Sequence, residues 1–312
     1  MMAWRVHAFG PPDVMKFERI SRPQPGPGEV LVKVKAAGVG PWDGWIRAGQ
    51  GAQPEPLPLT PGSDLAGDVV AVGPGVSRPL VGEPVYGVTN THFIGAYAEY
   101  ALASAAMVAR KPASLSYIEA AGVPVVAVTA RQALFDHARL TAGQTVVIHG
   151  GAGAVGSYAV QFARQAGLHV FATASADDAA LVRELGADTV IDYKTGRFED
   201  KVRDADAVID LVGGDTQKRS FQVLRRGGKL ISAVSEPDQA LAKKQGVDAS
   251  FFLVKVTTDE LAGIARLIDE KKLRPGHGEV VLSLAEATQA HLMLEGLKPR
   301  PKGKIVLATL PL

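Results

Sequence analysis

The 312-residue sequence contains no cysteine. That single absence excludes disulfides, cysteine-ligated zinc, iron–sulfur clusters and a thiolate nucleophile. A run of about 18 apolar residues, as a membrane span needs, is also missing. The opening MMAWRVHAFGPPDV lacks the apolar stretch of a signal peptide, so a cytoplasmic protein is expected, with no membrane partner. Charge of one sign is scarce too. Thirty-four Lys and Arg stand interspersed against 32 Asp and Glu, for a net +2, which gives no basic stripe for nucleic acid. What remains is ordinary for a folded globular protein, with 46% hydrophobic and 21% charged residues. This length suggests two domains.

From about residue 26 to 110 the chain is rich in Gly and Pro. Short β-type runs appear there, EVLVKVKAAGV, DLAGDVVAVG, EPVYGV and GAYAEYALA, as in a compact, barrel-like β domain. Between them, QGAQPEPLPLTPG reads as an irregular loop because its prolines forbid helix and regular ladder alike. From about 115 the texture changes: LSYIEAAGVPVVAVTARQALFDHARL reads as helical, and then strands and helices alternate through TVVIH, HVFATA, TVIDY, AVIDLV and GKLISAV. Such alternation predicts parallel βαβ units in a doubly wound sheet of about six strands, with SFFLV at 250–254 as the last. The tail, ELAGIARLIDEKKL, EVVLSLAEATQAHLMLEGL and GKIVLATL, is too long to finish that sheet and is expected to return to the first domain.

The most informative stretch is HGGAGAVGS at 149–157, in which Gly151, Gly153 and Gly156 fit GxGxxG. A β-branched strand at Thr145–His149 runs in, and a helix with apolar Val155, Ala159, Val160 and Ala163 runs out. In that setting the first glycine permits the turn, the second lets the backbone approach a pyrophosphate, and the third lets helix and strand pack closely. The helix N-terminus, from Ala154 and Val155 on, offers N–H groups to the anion. A dinucleotide site is therefore expected. NAD sites usually carry an acid at the end of the second strand; here FATAS places Ser175 there, which favours NADPH over NADH. Asp177 and Asp178 read as first-turn helix residues, with Ser175 as N-cap and Asp178 three positions on. Lys194, after Tyr193 in VIDYK, is the nearest candidate countercharge.

The ordered motifs PGPGEVLVKVKAAGV, PLTPGSDLAGDVVAVGPGV, GAYAEYAL, EAAGVPVVAVTA, the glycine stretch, LGADTVIDY, RGGKLIS and GKIVL run nearly end to end. Together they resemble the medium-chain dehydrogenase/reductase superfamily, in particular its zinc-free, ζ-crystallin-like quinone oxidoreductase branch. The resemblance implies an α/β fold, with a GroES-like catalytic domain from residues 1–122 and 260–312 and a Rossmann domain from 123–259. It also implies an active site in the cleft between them and a homodimer formed through Rossmann edge strands near SFFLV. Zinc-dependent relatives have a cysteine after the KVKAAGV strand and a His-Glu pair in a PGHE-type motif. This chain has Gly40, and then Ser63 and Asp64, at those places, so no metal is expected.

Without a Lewis acid to polarise a carbonyl, a conjugated acceptor is the natural hydride partner, because charge delocalises onto oxygen. The expected reaction is reduction of an electrophilic small molecule, a quinone or an α,β-unsaturated carbonyl, by NADPH. The alternative is a non-catalytic NADPH-binding structural or sensing protein of the same fold. Quinone reductases of the branch often carry an NxxDxxxR-type segment with a tyrosine near its middle. In GPWDGWIRAG here, Asp43 and Arg47 remain, Gly40 replaces the asparagine and Trp45 the tyrosine. By the resemblance Asp43, Trp45 and Arg47 are the candidate catalytic residues, while Asp43 and Arg47 read equally as a local i,i+4 ion pair. Tyr97 reads as a core strand residue and His92 as a loop residue. By the same resemblance Thr129 approaches the nicotinamide-side phosphate, Tyr193 the adenosine ribose-phosphate, and Leu211 and Val212, with Gly213, the adenine or ribose edge. Ser232 and Ala233, with Phe252 and Leu253, would lie by the nicotinamide.

Overall fold

A computed structural model of the chain describes residues 1–275 and 278–309. Its contacts divide it into two units, Val126–Val254 on one hand and Met1–Val125 with Lys255–Leu312 on the other. Among the described residues no helix is long and apolar enough to cross a membrane.

The segment Val126–Val254 holds six strands, all parallel. In spatial order they are Thr189–Asp192, His169–Ala174, Thr145–Ile148, Ala205–Asp210, Leu224–Ser232 and Asp248–Phe251. The chain starts in the middle, winds to one edge, crosses back and winds to the other. The order therefore reverses between Thr145–Ile148 and Ala205–Asp210, where doubly wound sheets bind ligands. These strands form because β-branched runs such as Thr145-Val146-Val147-Ile148 are buried on both faces, as parallel sheets require. Val147, Val208, Leu230 and Phe221 share one core cluster, each such side chain contributing about 1.5–3 kcal/mol on burial. The last strand lies two residues earlier than the expected SFFLV. Its partner ends at Ser232, which pairs with Phe251, so Phe252 and Leu253 fall beyond the ladder.

In the other unit, Glu29–Gly38 is the central strand of a seven-stranded, mostly antiparallel sheet. It is buried along most of its length rather than on alternate residues, because the short helix Tyr117–Ala121 packs against it. The chain's last strand, Lys304–Ala308, pairs antiparallel with Glu29–Gly38, Val306 opposite Gly38 and Ala308 opposite Ala36. Leu310, the end of the expected run, lies outside the described residues. Trp4 and Tyr86 are buried with their polar ends satisfied, Trp4 Nε1 donating to Leu284 O at 2.6 Å and Tyr86 Oη to Leu261 O at 2.7 Å.

The helical reading of 115–140 resolves into pieces, Tyr117–Ala121, Pro124–Gln132 and a wide turn at Ala133–His137. Pro124 lacks the N–H that a continuous helix would need, and so begins a helix instead of continuing one.

Candidate active site

The glycine turn leaves the end of strand Thr145–Ile148 and enters helix Ala154–Gln165, with Gly153 extended at its N-cap. The left-handed residue is Gly150, at φ 71°, one place before the glycine that the GxGxxG spacing assigns to the turn. Gly151 serves packing instead: a Cβ there would lie 2.9 Å from Ala172 Cβ. Gly156 admits none, since its Cβ would sit 2.1 Å from the carbonyl oxygen of Gly150. The helix therefore crosses directly over the turn.

Thr173, on the neighbouring strand, pins this turn. Its carbonyl accepts Gly151 N–H at 2.8 Å and its hydroxyl accepts Gly150 N–H at 3.1 Å. His149, fully buried, completes the anchor. Ser220 donates its one proton to Thr216 O at 2.7 Å, so His149 Nε2 must donate to Ser220 Oγ at 2.9 Å. His149 Nδ1 is then the acceptor for the Thr173 hydroxyl at 3.3 Å. Burial pushes the His149 pKa down to about 4, which keeps this neutral tautomer at physiological pH. Nothing in the GxGxxG spacing signals Thr173, Ser220 or this role for His149.

At the end of the fourth strand in chain order, Asp210 is buried and accepts from Val212 N at 3.1 Å, Gly213 N at 2.8 Å, Gln217 Nε2 at 2.9 Å and Ser232 Oγ at 3.0 Å. It shapes the loop that carries Leu211 and exposed Val212. Ser232 is buried, and besides donating to Asp210 it accepts from Val234 N and Ser235 N, each at 3.2 Å. Phe252 is buried against the His137 ring at 4.2 Å, whereas Leu253 and Tyr193 are well exposed. Thr129 is buried in helix Pro124–Gln132. Lys194 is exposed, its backbone N–H held by Asp192 Oδ1 at 3.0 Å. Ser175 does not cap with its hydroxyl as the capping-box reading expects. The group donates to Asp178 Oδ2 at 2.7 Å, while Asp178 N–H goes to the Ser175 carbonyl at 3.0 Å in a short 3-10 turn.

In the other unit, helix Pro41–Arg47 brings Asp43 and Arg47 into the interior. They do not pair with each other. Asp43 Oδ2 accepts from Gly40 N at 2.8 Å and from Tyr97 Oη at 3.0 Å, and Oδ1 is buried without a hydrogen-bond partner. Arg47 donates to Gly10 O at 2.9 Å and to His291 Nδ1 at 3.0 Å, and forms an ion pair with Glu295 at 2.7 Å. Burial, then the Arg47 guanidinium, holds His291 down to about 3 and hence neutral. Tyr97 is buried in the core but lies outside any strand, with its ring edge-on to His291 at 5.8 Å. His92 Nδ1 meets Glu55 at 3.0 Å on the surface loop. Trp45 projects outward, 47% exposed.

The positions that hold metal in zinc-dependent relatives do not fit it here. A side chain at Gly40 would begin 2.3 Å from the Trp42 indole, which fills that space. Trp42 Nε1 donates to Ser63 Oγ at 2.9 Å, and the Lys304 ammonium lies 4.8 Å from the centre of the Trp42 ring and 3.7 Å from Asp64 Oδ2. At these positions the chain supplies one carboxylate and one hydroxyl, and the carboxylate faces the Lys304 ammonium, where a metal ion would need more donors and no neighbouring cation. Burial raises Asp64 to about 6 and Asp43 to about 7, each moderated by Lys304, and burial lowers Lys304. Among the described residues no three His, Asp or Glu side chains are grouped as metal ligands.

Two family models match, an alcohol dehydrogenase GroES-like domain at residues 26–113 and a zinc-binding dehydrogenase at 185–307. The quinone oxidoreductase of Rattus norvegicus is 33% identical over 308 residues, covering 93% of either chain. Among solved structures, the quinone oxidoreductase from Coxiella burnetii superposes with a TM-score of 0.88 at 33% identity, covering 99% of both chains. The Escherichia coli quinone oxidoreductase complexed with NADPH superposes at 0.87 with 25% identity, covering 99% of this chain and 100% of that one. With its GroES-like and parallel Rossmann-type sheets and relatives similar along nearly its whole length, the chain belongs to the quinone oxidoreductase branch of the medium-chain dehydrogenase/reductase superfamily.

Proposed function

We propose that the protein is a zinc-independent oxidoreductase that uses NADPH to reduce a quinone or an α,β-unsaturated carbonyl. The observation that carries this reading is the glycine turn at the sheet's reversal point, locked by Thr173 and His149 and crossed closely by its helix. In relatives so similar, quinone reduction and an NADPH complex support it. When bound, NADPH supplies a hydride from its nicotinamide, and the acceptor takes that hydride and one proton.

The chain's own contribution is to bind and to orient. Backbone at Gly151, Gly153, Ala154, Val155 and Gly156 is assigned to the pyrophosphate, where the helix N-terminus favours negative charge. Ser175, Tyr193 and Lys194 are assigned to the adenosine side, Leu211 and Val212 to its edge, and Thr129, Ser232, Phe252 and Leu253 to the nicotinamide half. Their burial sorts these roles. Leu253, Tyr193 and Val212 offer side-chain surface, whereas Ser232 and Phe252 hold the backbone of their loops in place.

Asp43 and Arg47 are positioning residues, because both are buried within the GroES-like sheet's own network; exposed Trp45 offers an apolar face to an acceptor. The edge strand Asp248–Phe251, paired on one side by Leu224–Ser232, supports a homodimer, and a cytoplasmic location is the reading from composition. The test is turnover of NADPH with a panel of quinones and enals, followed as loss of reduced-nicotinamide absorbance. Tight NADPH binding without turnover of any acceptor would overturn the enzyme reading.

A further inference from the structure

The end of strand His169–Ala174 meets the adenosine ribose in folds of this order, and its chemistry separates a ribose 2′-hydroxyl from a 2′-phosphate. In sequence that place belongs to Ser175, which carries no charge. In three dimensions it does not stay neutral. The buried Ser175 hydroxyl donates to Asp178 Oδ2 at 2.7 Å, so the following 3-10 turn, Ala176–Asp178, brings a carboxylate back to the strand end.

Two consequences follow from elementary hydrogen-bond chemistry. A serine hydroxyl has one proton, and while it is committed to Asp178 it has none to give a phosphate. The carboxylate is an acceptor that suits a ribose hydroxyl and opposes a phosphate dianion. The helix behind it, Ala179–Leu185, is docked on the glycine turn: Val182, one turn beyond Asp178, lies 3.3 Å from where a Gly151 Cβ would stand. The carboxylate is therefore fixed relative to the pyrophosphate cradle. Beyond the neighbouring strand Thr189–Asp192, Asp192 is engaged by Lys194 N and Thr195 Oγ1.

We propose that Asp178, held by Ser175, is the residue that sets cofactor selectivity: it accepts the ribose 2′-hydroxyl and restrains 2′-phosphate binding, so that the protein takes NADH as well as NADPH. The inference rests on the dinucleotide reading of the glycine turn. Asp178 makes no side-chain cap to helix Ala179–Leu185, and Asn in its place keeps an acceptor for the Ser175 hydroxyl.

The test is equilibrium titration of full-length wild type, Asp178→Asn and Asp177→Asn with NADPH and with NADH, by calorimetry or fluorescence. Asp177 is exposed and removes the same charge, which makes it the control. For wild type the two dissociation constants are expected within about tenfold of each other. Asp178→Asn is expected to tighten NADPH about tenfold while NADH weakens or stays, a change of about 1.4 kcal/mol in selectivity. An unchanged ratio in Asp178→Asn with both cofactors bound, or an equal effect of Asp177→Asn, overturns the role of Asp178. Wild type binding neither cofactor overturns the dinucleotide reading, and this inference with it.

Discussion

Asp43 shows what burial does to a single carboxylate. Its two hydrogen bonds, from Gly40 N–H and the Tyr97 hydroxyl, both favour the charged form, yet desolvation outweighs them and lifts its pKa from 3.8 to about 7. The folded state thus keeps a proton that the unfolded chain releases above pH 4. The stability Asp43 contributes is present in acid and is lost as pH rises towards 7. Asn at this position keeps an acceptor for both donors and carries no charge. Asp43→Asn is therefore expected to match wild type near pH 3.8 and to gain on it as the pH rises to about 7. The gain is at most about 1.4 kcal/mol per pH unit between 3.8 and 7, read from denaturant unfolding. A stability difference that stays flat with pH would show that Asp43 titrates normally. The sequence marks Asp43 and Arg47 as a pair on one short helix. It has no means of showing that their partners are Tyr97, His291 and Glu295, 54 to 248 residues away, since those contacts form only in the folded chain.

At the scale of the element, the strand–turn–helix at 145–165 is the part most fully encoded in local sequence. A β-branched run, a glycine cluster and an apolar helical stripe occupy consecutive residues, and each needs little from the rest of the chain to form. The details that tertiary contact decides are finer. Gly150 rather than Gly151 takes the positive φ, because Gly151 must lie flat against Ala172 while its N–H reaches Thr173 O. Gly156→Ala puts a methyl group 2.1 Å from a backbone oxygen that cannot yield without moving the turn. This substitution is expected to weaken NADPH binding at least tenfold in titration. Gly153→Ala, whose Cβ would meet the same oxygen at 3.1 Å, is expected to have a smaller effect. Equal affinity in Gly156→Ala and wild type would mean that the close crossing of helix and turn does not shape the cradle.

At the scale of the whole molecule, each unit has its own cluster of buried hydrophobic side chains, and the proposed cofactor contacts lie in Val126–Val254. Saturation with NADPH at a hundred times its dissociation constant stabilises the binding-competent state by about 2.7 kcal/mol. Hydrogen-exchange protection is accordingly expected to rise at 149–157 and 173–178, and protection spread evenly over both units would speak against this placement. The site also bears on metal at this scale. With Trp42 filling the space at Gly40 and Lys304 paired to Asp64, dialysis against a chelator is expected to leave NADPH-dependent turnover unchanged. Loss of most of the activity, restored by zinc, would overturn the zinc-independent reading.

By itself the sequence determined the alternation of elements, the parallel sheet and the glycine turn between strand and helix, because hydrophobic period and turn chemistry are local properties of consecutive residues. The absence of cysteine and the substitutions at Gly40, Ser63 and Asp64 were equally plain there. Only the tertiary structure decided what those positions hold instead, since the Trp42 indole and Lys304 ammonium arrive from opposite ends of the chain. The same holds at the end of FATAS. A strand end that reads as neutral serine acquires a carboxylate when the next turn folds Asp178 back onto it, because a hydrogen bond between side chains depends on where the backbone carries them and not on their spacing alone.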